Sequence, residues 1–422
     1  TMAETVTGLL QQAMDRAVER REVAGVCLLV QQHGEERWYV ESGMRDVERN
    51  ESMSRDTIFR LYSQSKPVTG TAAMMLVERG LLDLGEPVSA YLPGFRGQRV
   101  TVRYMDEIAS DIPTEAAGEG GLLPGDGERS VPVRREATIK DLLTMTAGLV
   151  YPESNHEAGR FAGVLFDELD ARLYGDRPMT TVEFANRMGQ CPLAFQPGEH
   201  FKYGTCADVL GAVIEVASGR RFGDFLREEL FEPLGMTDTG FHVPADRQHR
   251  LAAIYDKPDN PMVEEHRGTL QSIVTDHLGL PYAASEPPAF ESGGAGLRST
   301  VDDFARFGRM LLNGGELDGV RVMQPRTIDM MTRNALFPEQ ILDYRDWQPG
   351  CGYNTFMRVV EEPGKALMLA GRGEYGWDGW LGTYFSNDPT TDSTFLLMMQ
   401  LTNAGTIPLT RKLKNIVRTH LD

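Results

Sequence analysis

Apolar alternation sits at the two ends of this 422-residue chain, with helical spacing between them. Residues 24–41 alternate around Val26, Leu28 and Val30, then Trp38 and Val40, across His33-Gly34-Glu35-Glu36, which predicts a β-hairpin. Alternation returns at 353–360, 366–371, 380–386 and 394–401, and Thr57-Ile58-Phe59-Arg60-Leu61 reads as a short strand. Helical periodicity marks 4–20, 63–78, 138–146, 181–189, 206–218, 222–230, 300–313 and 325–333, with a last helix from about residue 406. Strands at both ends can share one sheet only if the termini meet. The expected organisation is therefore one domain of strands and helices from residues 1–80 and 290–422, holding a mostly helical inserted domain at 81–289. Within that insert, an acidic Gly/Pro-rich stretch at about 106–135 reads as a solvated loop.

The charge balance of 61 acidic against 43 basic side chains, net -18, argues against a nucleic-acid partner or an anionic membrane surface. Apolar runs such as Phe395-Leu396-Leu397-Met398-Met399 fall far short of the roughly 18 residues of a membrane span. The start, Thr1-Met2-Ala3-Glu4, carries no signal-peptide pattern, so a cytoplasmic protein is expected. Cys27, Cys191, Cys206 and Cys351 form no C-x-x-C pair and the eight histidines no H-E-x-x-H, so neither a metal nor another cofactor is expected.

The sharpest chemical feature is Ser63-Gln64-Ser65-Lys66, an S-x-x-K tetrad found once in the chain. Residues i and i+3 share one face of a helix, so the Ser63 hydroxyl and Lys66 amine can meet. A lysine activates a serine only if desolvation or a nearby cation keeps it neutral, and the free N–H groups of a helix start can receive an oxyanion. The tetrad alone is also compatible with a Ser N-cap beside an unrelated exposed lysine. His156 and His200 come with no G-x-S-x-G elbow, which disfavours a Ser-His-Asp arrangement.

Phe59-Arg60-Leu61-Tyr62-Ser63-Gln64-Ser65-Lys66-Pro67-Val68-Thr69-Gly70 resembles the nucleophile segment of class C β-lactamase-like serine hydrolases, most closely the family VIII carboxylesterases. The resemblance runs on through Gly80-Leu81-Leu82-Asp83-Leu84, Thr138 to Leu149 and Gly294-Ala295-Gly296-Leu297-Arg298-Ser299-Thr300. It implies an α+β fold of the β-lactamase/transpeptidase type, an antiparallel sheet flanked by helices. Through Phe201-Lys202-Tyr203-Gly204-Thr205 it implies Tyr203 as a proton-shuttling partner of Ser63 and Lys66. Thr205 stands where β-lactamases usually carry Asn, and Met145 where the family usually carries His; the latter stretch reads as structural. Tyr375-Gly376-Trp377-Asp378-Gly379-Trp380 resembles the Trp-x-Gly version of the third motif, in place of Lys-Thr-Gly. By the same resemblance the backbone N–H groups of Ser63 and Trp380 form the oxyanion hole and Gly379 allows close substrate approach. Trp377, Tyr151 and Tyr353 are expected to shape the pocket. The implied activity is cleavage of small-molecule carboxylic esters through an acyl-serine, with room for weak β-lactam hydrolysis beside it. Amidase or peptidase action on D-amino acid derivatives, acyl transfer, and a non-catalytic binding protein are the alternatives.

Overall fold

Val26, Leu28 and Val30 face one apolar core while Cys27 and Leu29 face another, so the first long strand is covered on both sides. The structure is a computed structural model that describes residues 5–101, 130–257 and 269–422. Its main sheet contains β1 (Gly25–Gln32), β2 (Glu35–Asp46), β3 (Glu51–Ser52), β4 (Cys351–Asn354), β5 (Met357–Val360), β6 (Tyr375–Asp378), β7 (Tyr384–Asp388) and β8 (Ser393–Met398). The strand order is β4-β5-β6-β7-β8-β1-β2-β3, antiparallel throughout. The two ends of the chain meet at the β1–β8 pairing, from Cys27 opposite Met398 to Gln32 opposite Ser393.

Six helices cover the sheet or carry the site: α1 (Val6–Glu19), α2 (Lys66–Glu78), α3 (Glu157–Ala171), α4 (Cys206–Ser218), α5 (Val301–Leu312) and α6 (Pro408–Arg418). Leu10 and Met14 of α1 and Leu413 and Val417 of α6 cover one sheet face, against Val26, Leu28 and Phe395. Met75 of α2 and Phe304 and Phe307 of α5 cover the other, with Phe304 edge-on to Phe385 at 5.0 Å. This is the α+β arrangement expected. No helix among the described residues is long and apolar enough to cross a membrane.

Several sequence expectations change in detail. Residues 353–360 belong to a hairpin, β4–β5, because Thr355 and Phe356 turn at φ 51° and 60°. Residues 366–371 form no strand. The place beside β5 is taken by β6, which pairs Tyr375 with Val359, and 366–371 instead runs along a cleft with Leu367 72% exposed. The strand expected from 380 begins at Tyr384, since Gly379–Gly382 forms the preceding turn, with Gly382 N–H donating to the Gly379 carbonyl at 2.9 Å. Helix α3 falls outside the segments with predicted helical spacing, although Ala158, Phe161, Ala162, Leu165, Phe166 and Leu169 line its buried face. Of the acidic stretch at about 106–135, residues up to 129 lie outside the described residues, while Ser130–Pro132 pairs with Arg99–Thr101. Within the span expected to be mostly helical, Ile254–Asp256 runs beside the end of the sheet: Tyr255 N–H donates to the Gln400 carbonyl at 2.9 Å and Thr402 N–H to that of Tyr255 at 3.0 Å.

Candidate active site

The nucleophile segment enters from a short strand, Phe59–Arg60, paired with Arg298–Ser299. Tyr62–Ser65 then makes a single 3₁₀ turn before α2 begins at Lys66, so Ser63 sits in a tighter turn than a simple helix start. Tyr62 has φ 45°, a left-handed conformation that costs a non-glycine residue about 1 kcal/mol. It is held there by burial, with its ring edge-on to Trp380 at 5.1 Å. Pro67 follows in the first turn of α2, where its missing N–H breaks no helical bond.

Lys66 is fully buried. Its Nζ lies 3.1 Å from Ser63 Oγ, 2.8 Å from the Tyr151 hydroxyl and 2.8 Å from the Gly294 carbonyl oxygen. Among the described residues no carboxylate is in ion-pair contact with it. Burial therefore holds the Lys66 ammonium down to about 7, against an opposing pull from the Asp208 charge. A neutral amine at 3.1 Å from a hydroxyl is able to take its proton.

Tyr203 closes the other side. Its ring stands 4.7 Å from Lys66 Nζ, its hydroxyl is hydrogen-bonded to Ser63, and that hydroxyl accepts from Trp377 Nε1 at 3.1 Å. Burial pushes the Tyr203 phenol up, which the bonds to Ser63 and Trp377 only partly offset, so it remains protonated at neutral pH. The Tyr203 loop is tied down by Lys202 N–H, which donates to the Met145 carbonyl at 2.9 Å. Met145, buried at φ 56°, thus supports the loop, in keeping with a structural reading of its stretch.

The third motif arrives on β6 and the turn after it. Gly379 packs against the segment that leads to Ser63: a Cβ there would lie 2.1 Å from the Leu61 carbonyl oxygen. Its lack of a side chain thus serves the approach of chain to chain. Thr383 Oγ1 donates to the same carbonyl at 3.1 Å. Trp380 follows, its indole N–H given to Asn403 at 2.9 Å and its ring stacked on His277 at 4.2 Å. Among the described residues the Trp380 backbone N–H finds no acceptor within the chain.

Ser63, Tyr203, Trp377, Gly379 and Trp380 line one cleft of about 430 Å³. Trp347, Leu367 and Met368 give it an apolar wall, and the buried ion pairs Lys414–Glu374 and Arg358–Asp378 also border it. Two expected pocket residues are placed differently. Tyr151 is a hydrogen-bond partner of Lys66, and Tyr353 lies fully buried, edge-on to Trp377 at 5.4 Å, outside the cleft lining. Thr205 is buried with its hydroxyl unpaired, also away from the cleft. His156 caps α3 and pairs with Glu153, while His200 pairs with Asp343 at 3.0 Å. Sequence reasoning missed Trp347, Gly294 as the lysine's acceptor, and Asp208. The last had a signal: a lone acid in the otherwise apolar run Cys206-Ala207-Asp208-Val209-Leu210.

The family model described as beta-lactamase matches residues 10–412. The chain belongs to the beta-lactamase family. Beta-lactamase-family relatives include Esterase EstB of Burkholderia gladioli, 28% identical over 98% of this chain and 96% of that protein. Monacolin J acid methylbutanoyltransferase of Aspergillus terreus is also 28% identical, over 83% of this chain and 77% of its own length. Among solved structures, EstCE1, described as a hydrolase with promiscuous acyltransferase activity, superimposes with a TM-score of 0.76 at 24% identity, covering 98% of both chains. The fold is thus that of the beta-lactamase-like serine hydrolases, with esterases and acyltransferases among the homologues.

Proposed function

We propose that this chain is a carboxylesterase that works through an acyl-serine on Ser63. The observation that carries this is the buried Lys66 amine, without a carboxylate in contact among the described residues and 3.1 Å from Ser63 Oγ. Ser63 Oγ attacks the ester carbonyl carbon as its proton passes to Lys66. The Ser63 and Trp380 backbone N–H groups receive the oxyanion. The carbon–oxygen bond to the alcohol then breaks. The leaving oxygen takes a proton from the Tyr203 phenol, which the Lys66 ammonium replaces. Water enters by the reverse path and frees the acid. Tyr203 suits the donor role because its phenol stays protonated, and Trp377 Nε1 keeps its oxygen aimed at Ser63. The apolar wall of Trp347, Leu367 and Met368 favours esters with apolar groups over charged ones.

The test is labelling by a fluorophosphonate together with turnover of p-nitrophenyl butyrate. Wild type is expected to label and turn over, and Ser63→Ala to do neither at unchanged melting temperature, a loss of about 10⁴-fold or more. A wild-type chain that neither labels nor cleaves any ester would overturn the esterase in favour of a binding protein. Nitrocefin is expected to be the poorer substrate, because the third motif has Trp377-Asp378-Gly379 where β-lactamases carry a lysine. A second reading, acyl transfer to an alcohol, is favoured by the likeness to the methylbutanoyltransferase. Partition of the acyl group between water and an added alcohol distinguishes the two.

A further inference from the structure

The segment 291–297 is fastened to the nucleophile helix at several points. Leu297 N–H donates to Ser65 Oγ at 3.0 Å, Thr69 Oγ1 donates to the Gly293 carbonyl at 2.7 Å, and Lys66 Nζ donates to that of Gly294 at 2.8 Å. Gly294 is also held on the other side of its Cα. Its N–H donates to Asp208 Oδ1 at 3.0 Å, and the neighbouring Ser292 hydroxyl donates to the same oxygen at 2.5 Å. Asp208 projects from the first turn of α4 and is buried, at 3% exposure, in an otherwise apolar stretch. An acidic side chain is rarely this buried unless paired, and the cation that acts on it among the described residues, Lys66, lies beyond direct contact with Gly294 between them.

We infer that Asp208 is a positioning residue for Lys66: by holding Gly294 it places the carbonyl that orients the amine, and its charge sets the pH at which that amine becomes free. This rests on the esterase function proposed above. Burial pushes the Asp208 carboxyl up, and the two donors that converge on one of its oxygens, an arrangement that favours the ionised form, offset that push only in part. The other groups that face Lys66 are the Tyr151 and Tyr203 phenols, the Cys206 thiol on α4 and the Asp378 carboxylate on β6. Of the charges acting on the amine, that of Asp208 acts most strongly. Direct contact would hold the lysine charged and useless as a base. One residue of separation leaves about half of it neutral near pH 7 while still fixing its direction.

The experiment is the pH dependence of kcat/KM for p-nitrophenyl butyrate, and of Ser63 labelling by fluorophosphonate, in wild type and Asp208→Asn. The amide can still accept from Ser292 and Gly294 but carries no charge. Losing the charge lowers the proton affinity of Lys66, so the acid limb should move to lower pH by about 1 unit. A purely structural carboxylate would lower the melting temperature and leave the limb in place, and that result overturns the inference. If Asp208→Asn does not fold, Gly294→Ala replaces it. Its Cβ would stand 3.0 Å from Asp208 Oδ1 and displace the peptide, so kcat should fall with KM held; an unchanged kcat overturns the inference equally. Failure of the esterase reading looks different, since wild type itself would then neither turn over nor label.

Discussion

Lys66 and Lys414 are both buried, at 0% and 4% exposure, yet their surroundings differ in kind. Lys414 faces the Glu374 carboxylate directly, and Glu374 also accepts from the Ser386 hydroxyl and, at 3.0 Å, from the Gly371 N–H. Lys66 faces two hydroxyls and a carbonyl, with Asp208 one residue away, across Gly294. Burial raises the free energy of both ammonium groups, but among the described residues only Lys414 has an opposite charge in contact to offset that cost. Desolvation therefore makes a base only where a counter-ion is withheld. The same chain uses a buried lysine once to join a helix to the sheet and once to stay reactive.

The largest effect that sharpens this contrast is on rate. Lys66→Met should lower kcat/KM by about 10³-fold, in the range of general-base catalysis, while the melting temperature at neutral pH does not fall, because the variant no longer buries a charge. Lys414→Met should do the opposite. It strands Glu374 without its partner and should cost about 3 kcal/mol in denaturant unfolding, with kcat of the folded fraction nearly retained; adding Glu374→Gln should recover much of that loss. Equal effects of the two lysine substitutions on rate would break the comparison.

A smaller effect is read in pH. In the proposed mechanism the deprotonated amine is the active form, so kcat/KM should rise with pH through about 7 and then level off. For stability the sign follows from a folded-state value below lysine's ordinary 10.5. The folded chain then binds fewer protons than the unfolded chain between about 7 and 10.5, so stability should climb with pH across that window. The penalty is fully present below about 7. Thermal melting of wild type against Lys66→Met over this window should isolate that climb, since the variant lacks it. The smallest effect belongs to Tyr151→Phe, which removes one of the amine's three partners and should slow turnover by about fivefold, the worth of one hydrogen bond.

Ser63 and Lys66 were legible because their relation is local, three residues along a turn, and Tyr203 and Trp377 because the family's motifs mark them. Contacts made across long separations were not. Tyr151 reads from the sequence as a pocket residue, but its hydrogen bond to the Lys66 amine, 85 positions away, is made only in the folded chain. The strand misplaced at 366–371 has a related cause. A cleft wall, like a strand, has one apolar side, so alternation at Ala366, Met368 and Ala370 could not distinguish them. The strand that replaced it, Tyr375–Asp378, is short and holds a glycine, and its pairing with β5 and β7 is decided by neighbours rather than by its own residues. Helix α3 was legible in principle but is interrupted by Gly159, Gly163 and several charges.

β6 is stitched on both edges, Tyr375 opposite Val359 and Gly376 opposite Ser386, and the turn after it is bound to the Leu61 carbonyl just ahead of Ser63. The chain leading to Ser63 is thus tied to a strand that is paired on both edges. Such a catalyst gains its substrate range by trimming the rim, at Trp347 and Leu367, while the machinery beneath stays rigid, and a directed-evolution campaign would do well to leave β6 untouched and diversify that rim first.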